Sequence, residues 1–343
     1  MIDKPKNILI VRTDRIGDVI LTLPLAGIIK KVYAASRITF LVREYTKNIV
    51  SNHPFIDEVI VINESKNKLS FFDNVEIIKS KKFDVCIVAR PSFVIAIILF
   101  FSGIKNRIGI GYRWYSLFFN QRIYEHRKTA EHHELEYNVN LLNKIGIKNS
   151  VTEENVCYDL TVDDGALQKV IQLLLDEKVD LQKPIIIVHP GSGGSSVDLP
   201  VEKFIELVNR LDSDNFQIIL TGNKNEAALC NKIKSSSKAI NFAGKFNLEE
   251  LTALISKCSI FISNSTGPIH IAAALRKFTV GFYPKIVSCS QERWGPYTSK
   301  KLVYVPQIDC KNCTREQCEN LNCMNSIEIS NVYSDIKNVL NKM

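Results

Sequence analysis

Short apolar runs alternate with stretches of helical period along this chain, and the alternation stops near residue 160 and starts afresh after residue 183. In the first half, strand-like runs fall at 7–12, 38–42, 58–62, 84–89 and 107–110. Helical stretches lie between and after them at 18–34, 44–51, 72–81, 92–102 and 131–145. Strands that are continuously apolar and separated by helices belong to parallel sheets covered on both faces. The second half repeats the grammar, with strands at 184–188, 216–220, 239–242, 259–263 and 278–282 and helices at 200–211, 224–234, 248–257 and 267–275. Pro200 stands where a first helical turn tolerates proline. Tyr158–Lys183, rich in Asp, Lys and Gln around one amphipathic helix, reads as the crossover, and 326–343 as a lone final helix. The expected fold is α/β: two Rossmann-like, doubly wound parallel-sheet domains facing across a cleft, at 1–160 and 161–325, with 326–343 appended. A chain of 343 residues gives each domain a core of its own.

Composition narrows the partners. Hydrophobic residues at 45% and charged ones at 23% are globular values. The formal charge of +8 suits an anionic small molecule, a phosphorylated glycolipid or a membrane surface, and equally a basic soluble protein. No Lys/Arg block with interleaved aromatics points to nucleic acid. Met1-Ile-Asp-Lys-Pro-Lys runs straight into a strand with no signal-like segment, so a cytoplasmic protein is expected. The longest apolar run, Phe93–Phe101, is too short to span a bilayer and reads as a buried helix, leaving any membrane contact peripheral.

The connection after the first strand, Arg12-Thr-Asp-Arg-Ile-Gly-Asp18-Val-Ile-Leu-Thr-Leu-Pro24, carries the most chemistry. A helix start favours an ionised Asp18, and Gly17 removes a side chain that would block approach. Beside Arg12 and Arg15, Asp18 is placed either to accept a proton from a bound hydroxyl or simply to cap the helix.

Three loops of the second half end strands in the same way. Gly191-Ser192-Gly193-Gly194-Ser195-Ser196 offers free N–H groups that can wrap a diphosphate, or is only a turn. Ser265, Thr266 and Gly267 open a helix and could hold phosphate or sugar hydroxyls, with His270 one turn in as either a ligand contact or a structural residue. Thr221-Gly222 leads to Glu226, which reaches ribose hydroxyls or caps its own helix. Each loop alone is ambiguous, but three on one sheet edge converge on a ligand.

In the first half, Arg107, Arg113 and Arg122 cluster around a strand end; they either read an acidic group in bidentate fashion or are surface arginines. His132 and His133 diverge on a helix and make a poor metal pair. Of nine cysteines, Cys86, Cys157, Cys230, Cys258 and Cys289 are isolated and read as small core hydrophobes. Cys310, Cys313, Cys318 and Cys323 form C-x2-C-x4-C-x4-C, either a structural zinc site or a reduced loop; only the first pair has the close spacing typical of zinc knots.

These motifs resemble the lipopolysaccharide heptosyltransferases of glycosyltransferase family 9. The matching pieces are R-x-D-x-I-G-D-V-x-L-T-L-P at 12–24, R-I-G-x-G-Y-R-W-Y-S-L at 107–117, H-P-G-S-G-G at 189–194, S-N-S-T-G-P-I-H-I-A-A-A-L at 263–275 and the cysteine-rich tail ending Cys323-Met324. The order holds over nearly the whole chain. The resemblance implies the GT-B architecture, with an acceptor-binding first domain, a nucleotide-sugar-binding second domain and a last helix returning to the first. It implies inverting transfer of a heptose from ADP-heptose to a lipid A-linked, acidic inner-core acceptor at the inner face of the inner membrane, with no required cofactor. Asp18 matches the general base. Residues 191–196, Thr221, Gly222, Glu226, 265–267 and His270 would serve the donor; Arg12, Arg15, Gly17, Arg107, Arg113 and Arg122 would serve the acceptor.

Two positions depart from the family pattern. A K-x-W-P stretch usually follows the glycine loop, and here Val197 and Leu199 replace its Lys and Trp; Ser265 stands where many members have Asp. Losing that Lys removes a cation from the leaving group. Either loop N–H groups, Lys203 or an arginine compensate, or the donor is another nucleotide sugar, or the protein binds nucleotide or glycan without turnover. A nicotinamide enzyme is disfavoured because no G-x-G-x-x-G follows the first strand.

Overall fold

The computed structural model describes residues 4–65, 68–148, 150–214, 216–309 and 313–342. It divides into two units: residues up to Arg127 with Glu131–Thr161, and Lys128–Ala130 with Val162 onward.

The first unit is built on β1 (Asn7–Val11), β2 (Arg37–Val42), β3 (Glu58–Val61), β4 (Val85–Val88), β5 (Asn106–Ile110) and β6 (Gln121–Ile123). They form one all-parallel sheet in the order β3-β2-β1-β4-β5-β6. The order reverses between β1 and β4, and such a switch point opens a crevice at the carboxyl ends of the strands. Ile8 to Val11 are wholly buried, as a strand covered on both faces requires. β6 escapes the sequence pattern because it is a half-buried edge strand with no apolar run.

The helical stretch expected over 18–34 is two helices, α1 (Ile16–Ile20) and α2 (Pro24–Val32). Pro24 lacks the N–H that a continuous helix needs and clashes with the turn before it. α3 (Phe71–Ser80) and α4 (Phe93–Phe101) share a core with Leu9, Val11 and Val88. α4 is not the buried helix its composition suggested: Ile95, Ala96, Ile98 and Leu99 are covered, while Phe93, Val94, Phe100 and Phe101 are exposed. α5 (Glu134–Asn140) closes the unit and runs into a 3-10 turn at Leu141–Ile145.

The second unit begins with α6 (Asp164–Asp176), the expected crossover helix. Its sheet comprises β7 (Ile185–His189), β8 (Gln217–Leu220), β9 (Ile240–Asn241), β10 (Ile260–Asn264), β11 (Phe278–Phe282) and β12 (Lys301–Tyr304). The order β9-β8-β7-β10-β11-β12 repeats that of the first sheet, again all parallel. Helices α7 (Val201–Ser213), α8 (Ala227–Lys234), α9 (Leu248–Lys257), α10 (Gly267–Ala274), α11 (Arg315–Asn320) and α12 (Ile329–Leu340) complete it.

The resemblance implied a last helix returning to the first domain; in the structure α12 places its apolar face in the core of the second unit. Val332 and Ile336 of α12 are fully buried in the same core as Phe204 and Leu207 of α7. Tyr333 Oη donates to Asp214 at 2.6 Å, and Tyr304 Oη to Asp335 at 2.7 Å. The apolar face of α12 is thus used within the second unit. Among the described residues, no helix is long and apolar enough to cross a membrane.

Candidate active site

β1 ends at Val11, and the chain crosses the carboxyl edge of its sheet before entering α1. Arg15 is the N-cap residue and makes no side-chain cap bond. Asp18 lies inside the helix, so the capping alternative does not hold. Its side chain turns instead to Arg12, which is 1% exposed and forms the centre of a charge cluster. Arg12 Nε donates to Asp14 Oδ1 at 2.7 Å, Nη2 donates to Asp18 Oδ1, and Nη1 donates to Glu134 Oε1 and Asn138 Oδ1 at 3.2 Å each. Arg127 Nη1 donates to the same Glu134 oxygen, and Arg90 Nη1 reaches Asp14 Oδ2 at 3.4 Å. Three guanidiniums therefore face three carboxylates. Removing one member of such a buried pair costs about 3–5 kcal/mol, because the other charge is left uncompensated.

The three carboxylates are not equivalent. The side chains of Asp14 and Glu134 are 6% and 2% exposed, whereas that of Asp18 keeps 14%. Burial pushes the Asp18 carboxyl up to about 6, against the pull of the Arg12 guanidinium; Asp14 and Glu134 push the same way as burial. Burial alone would lower the Arg12 pKa, but its carboxylates outweigh that and raise it. Thr22 Oγ1 donates to the Asp18 carbonyl at 2.8 Å, and Asn138 Nδ2 donates to the Leu21 carbonyl at 3.1 Å and to Thr22 Oγ1 at 3.2 Å. These bonds fix the turn after α1 and with it the aim of Asp18. The result is a rigid carboxylate, ionised at neutral pH and basic enough to accept a proton.

Of the expected acceptor residues, Arg12 proves to be the buried organiser of the cluster, Gly17 is buried beside Asp18 in α1, and Arg15 is exposed at the helix start. Arg113 is exposed on the connection that leaves the carboxyl end of β5. Arg107 and Arg122 are placed differently. Arg107 sits early in β5, level with Cys86, where Nε donates to the Phe118 carbonyl at 2.7 Å and Nη1 donates to the Ile104 carbonyl. Three residues of strand, roughly 10 Å, separate it from the carboxyl edge. Arg122 Nε donates to the Phe119 carbonyl at 2.8 Å from within β6. Both guanidiniums hold backbone in place and neither joins the Asp18 cluster. Sequence reasoning missed Glu134, Asn138, Arg127 and Arg90 as parts of this site. The available signal was Glu134 and Asn138 at i, i+4, on one face of the helix.

In the second unit, the loop after β7 turns through Gly193 and Gly194 at φ of +57° and +76°, a conformation glycine adopts without penalty. Both are exposed, whereas Ser192 and Ser196 are buried. Ser195 Oγ donates to the Ser192 carbonyl at 2.8 Å and to the Ser265 carbonyl at 2.9 Å, so the glycine loop and the start of α10 are tied together. Asn264 reinforces the tie, with Nδ2 donating to the Pro190 carbonyl at 2.6 Å and Oδ1 accepting from the Leu199 N–H at 2.9 Å. Thr266 is the N-cap of α10 and Gly267 its first residue, both half-buried, with His270 buried one turn in.

Glu226 joins the third loop to the first. Its Oε1 accepts from the Gly193 N–H at 3.1 Å and its Oε2 from the Asn223 N–H at 2.7 Å. A Cβ on Gly191 would run into this carboxylate, which is why the backbone there carries none. Thr221 Oγ1 lies 3.0 Å from His189 Nδ1, and Gly222 continues the turn. The loops expected to bind a donor thus do converge, at the carboxyl ends of β7, β8 and β10, on both sides of the second switch point.

Val197 and Leu199 are 8% and 3% exposed and belong to the core, so this stretch presents no cation. Among the described residues, Arg315 of α11 brings a cation to the loop: Nη1 donates to the Gly194 carbonyl at 3.0 Å and Nη2 to the Ser196 carbonyl at 3.1 Å. Lys203 is half-buried in α7. Of the cysteine cluster, Cys313, Cys318 and Cys323 are buried in the second core, and Cys310 lies outside the described residues. Among the described residues, no group of three or more His, Cys, Asp or Glu side chains could hold a metal ion.

The model of glycosyltransferase family 9 (heptosyltransferase) matches residues 75–324, which include β4 to β6, the whole second sheet and all three of its loops. The chain belongs to glycosyltransferase family 9. It is accordingly an enzyme, a glycosyltransferase with heptosyltransferase relatives. A provisionally named glycosyltransferase of Haemophilus influenzae is 29% identical over 312 residues, covering 88% of this chain and 89% of the relative. The solved family 9 glycosyltransferase of Veillonella parvula superposes with a TM-score of 0.85 at 18% identity, covering 100% and 99% of the two chains. The ADP-heptose lipopolysaccharide heptosyltransferase II of Escherichia coli does so at 0.78 and 20% identity, covering 98% and 99%. The fold of this family 9 chain is therefore the GT-B pair of Rossmann-like domains.

Proposed function

We propose that this family 9 chain transfers a heptose from ADP-heptose, with inversion, to an acidic, lipid-linked inner-core acceptor of lipopolysaccharide at the cytoplasmic face of the inner membrane. The observation that carries the reading is Asp18, the one partly exposed carboxylate of a buried ion cluster, raised to about 6 and aimed by Arg12. In this reading an acceptor hydroxyl attacks the anomeric carbon of the donor while Asp18 takes its proton. The bond from the anomeric carbon to the phosphate oxygen breaks, and ADP leaves with the electron pair. The N–H groups at the start of α10, with those of the glycine loop other than Gly193, whose N–H is held by Glu226, stabilise the charge that develops on the leaving phosphate. Arg15 and Arg113 meet the acidic acceptor. Donor and acceptor class also draw support from the Escherichia coli neighbour, whose name states ADP-heptose and lipopolysaccharide.

No step needs a metal. A structural zinc at Cys310, Cys313, Cys318 and Cys323 is not part of this reading, and elemental analysis of the purified chain decides it separately.

One observation favours a second reading, a transferase of the same fold using another nucleotide sugar: Val197 and Leu199 are packed into the core where the family pattern has Lys and Trp. A panel of ADP-, UDP- and GDP-sugars, with product mass spectrometry on a deacylated inner-core acceptor, separates the two. Turnover confined to ADP-heptose supports the first reading, and turnover with a UDP- or GDP-sugar replaces it by the second. Donor binding without turnover of any sugar overturns both.

A further inference from the structure

The first unit exposes apolar surface that its own core does not use. α4 has no charged or polar side chain between Phe93 and Phe101, and a helix apolar all round is normally enclosed. Here Phe93, Phe100 and Phe101 are 40%, 44% and 58% exposed. Neighbouring elements extend this face rather than cover it. The ring of Trp114, 69% exposed, lies 4.7 Å from that of Phe93. At the other end, Phe101 lies 5.7 Å from Phe71, which touches the 81% exposed Phe72 at 5.2 Å. Single exposed apolar residues are ordinary. A connected row of aromatic rings across α3, α4 and the turn at Trp114 marks an interaction surface.

The charges around this row identify what it meets. From Arg90 to Arg113, the stretch that carries α4 and reaches Trp114, the chain has four Lys or Arg residues and no acid, while beside Phe72 the helix α3 adds exposed Asp73, Glu76 and Lys79. Arg107 lies 5.2 Å from the centre of the Phe100 ring, Lys105 is exposed four residues after Phe101, and exposed Arg113 precedes Trp114. Aromatic side chains rimmed by cations are the composition of surfaces that lie in a bilayer interface, where rings sink to headgroup level and cations meet lipid phosphates. Two copies of this face brought together would oppose their own basic rims, which disfavours self-association. Nine residues of helix reach only about 14 Å, so α4 lies in the interface rather than crossing it. The face also adjoins the candidate active site within the same unit: Arg90, three residues before Phe93, reaches Asp14.

We propose that the aromatic face formed by Phe72, Phe93, Phe100, Phe101 and Trp114 docks into the surface of an anionic lipid bilayer. This deepens the lipid-linked acceptor of the preceding reading and rests on it for its purpose, but its test contains neither sugar donor nor acceptor.

The full chain is sedimented with vesicles of phosphatidylcholine alone and of equal parts phosphatidylcholine and phosphatidylglycerol. Most of the protein pellets with the mixed vesicles at low salt, and far less with the neutral ones. The triple variant Phe72→Ser, Phe101→Ser, Trp114→Ser lowers the partition coefficient at least about tenfold, since all three side chains leave water on docking. Circular dichroism checks that it keeps the native fold. A second measurement avoids that variant: with Trp294→Phe, Trp114 is the sole tryptophan, and mixed vesicles shift its emission to the blue. Wild-type protein that stays in the supernatant with both vesicle types overturns the proposal, as does Trp114 emission unmoved by them. A dimer that the triple substitution dissociates overturns it too, because a second copy then covers the face.

Discussion

Nη2 of Arg12 donates to Oδ1 of Asp18, joining a guanidinium that is 1% exposed to the carboxylate of its cluster that retains contact with solvent. The arrangement separates two roles that a lone surface aspartate could not combine. The buried partner fixes direction, and burial raises basicity. Asp18→Asn keeps the shape and removes the base. Transfer should fall by about 10²–10⁴-fold, the usual contribution of a positioned acid–base group. ADP affinity, read by calorimetry, should stay unchanged because the loops assigned to the donor belong to the other unit. Retained turnover in the variant would remove Asp18 from the chemistry.

The pH dependence follows from the same cluster. Below about 6 the Asp18 carboxyl is protonated and cannot accept a proton, so kcat/KM should fall on the acid side of that value. Glu134 is one of the groups raising it. Glu134→Gln removes that negative charge, so the acid limb should move to lower pH. The same substitution leaves Arg12 and Arg127 short of a counter-charge and should lower the unfolding free energy by about 3–5 kcal/mol. The two readouts separate tuning from mere destabilisation: an unfolding effect with an unmoved acid limb would mean that Glu134 only holds the fold.

Much of this was legible in the sequence because parallel strands are written as apolar runs. β1, β2, β4, β7, β10 and β11 were all visible, and the loops that follow β7 and β10 therefore fell at strand ends by necessity. The edge strands β6 and β12 were not, since an edge strand is half-exposed and needs no apolar pattern. Asp18 was found because a carboxylate after a glycine at a helix start is a local signal. Glu134 and Arg127 were not, because Glu134 takes its meaning from contact with Arg12, more than a hundred residues away, and Arg127 from contact with Glu134, and no local pattern records the first of these. Arg107 is placed near a strand end by its sequence, but no local pattern tells the amino end of β5, where it sits, from the carboxyl end. α12 reads as amphipathic from its sequence alone, yet nothing in that pattern says which core its apolar face will join.

Arg315 offers a test of how the glycine loop manages without a Lys at position 197. Its guanidinium fork holds the carbonyls of Gly194 and Ser196. Arg315→Ala should loosen the loop and raise the donor KM by roughly 5- to 50-fold, the loss of one or two hydrogen bonds from a charged group. The effect on kcat should be smaller. Arg315→Lys should recover only part, because an ammonium cannot span two acceptors as a planar fork does. An unchanged donor KM in Arg315→Ala would leave the loop N–H groups as the sole source of positive field.

His189 makes the second unit sensitive to acid. It ends β7, stacks on Phe261 with ring centres 6.2 Å apart, and lies 3.0 Å from Thr221 Oγ1. Burial pushes the imidazole from 6.5 down to about 4, with Glu226 pulling weakly the other way. The unfolded chain therefore takes up a proton as pH falls through 6.5, while the folded chain resists until about 4. Stability must then decline with falling pH across that window and level off below it, by roughly 3 kcal/mol for this group. Asp18 contributes with the opposite sign, since its raised pKa favours the folded state at low pH and that stability is lost as pH rises through about 6. Comparing wild type with His189→Gln cancels the Asp18 contribution. The difference in urea unfolding free energy between the two should shrink from pH 7 to pH 4; parallel curves would show that the imidazole titrates alike in the folded and unfolded chain, and a widening difference that the fold holds it protonated.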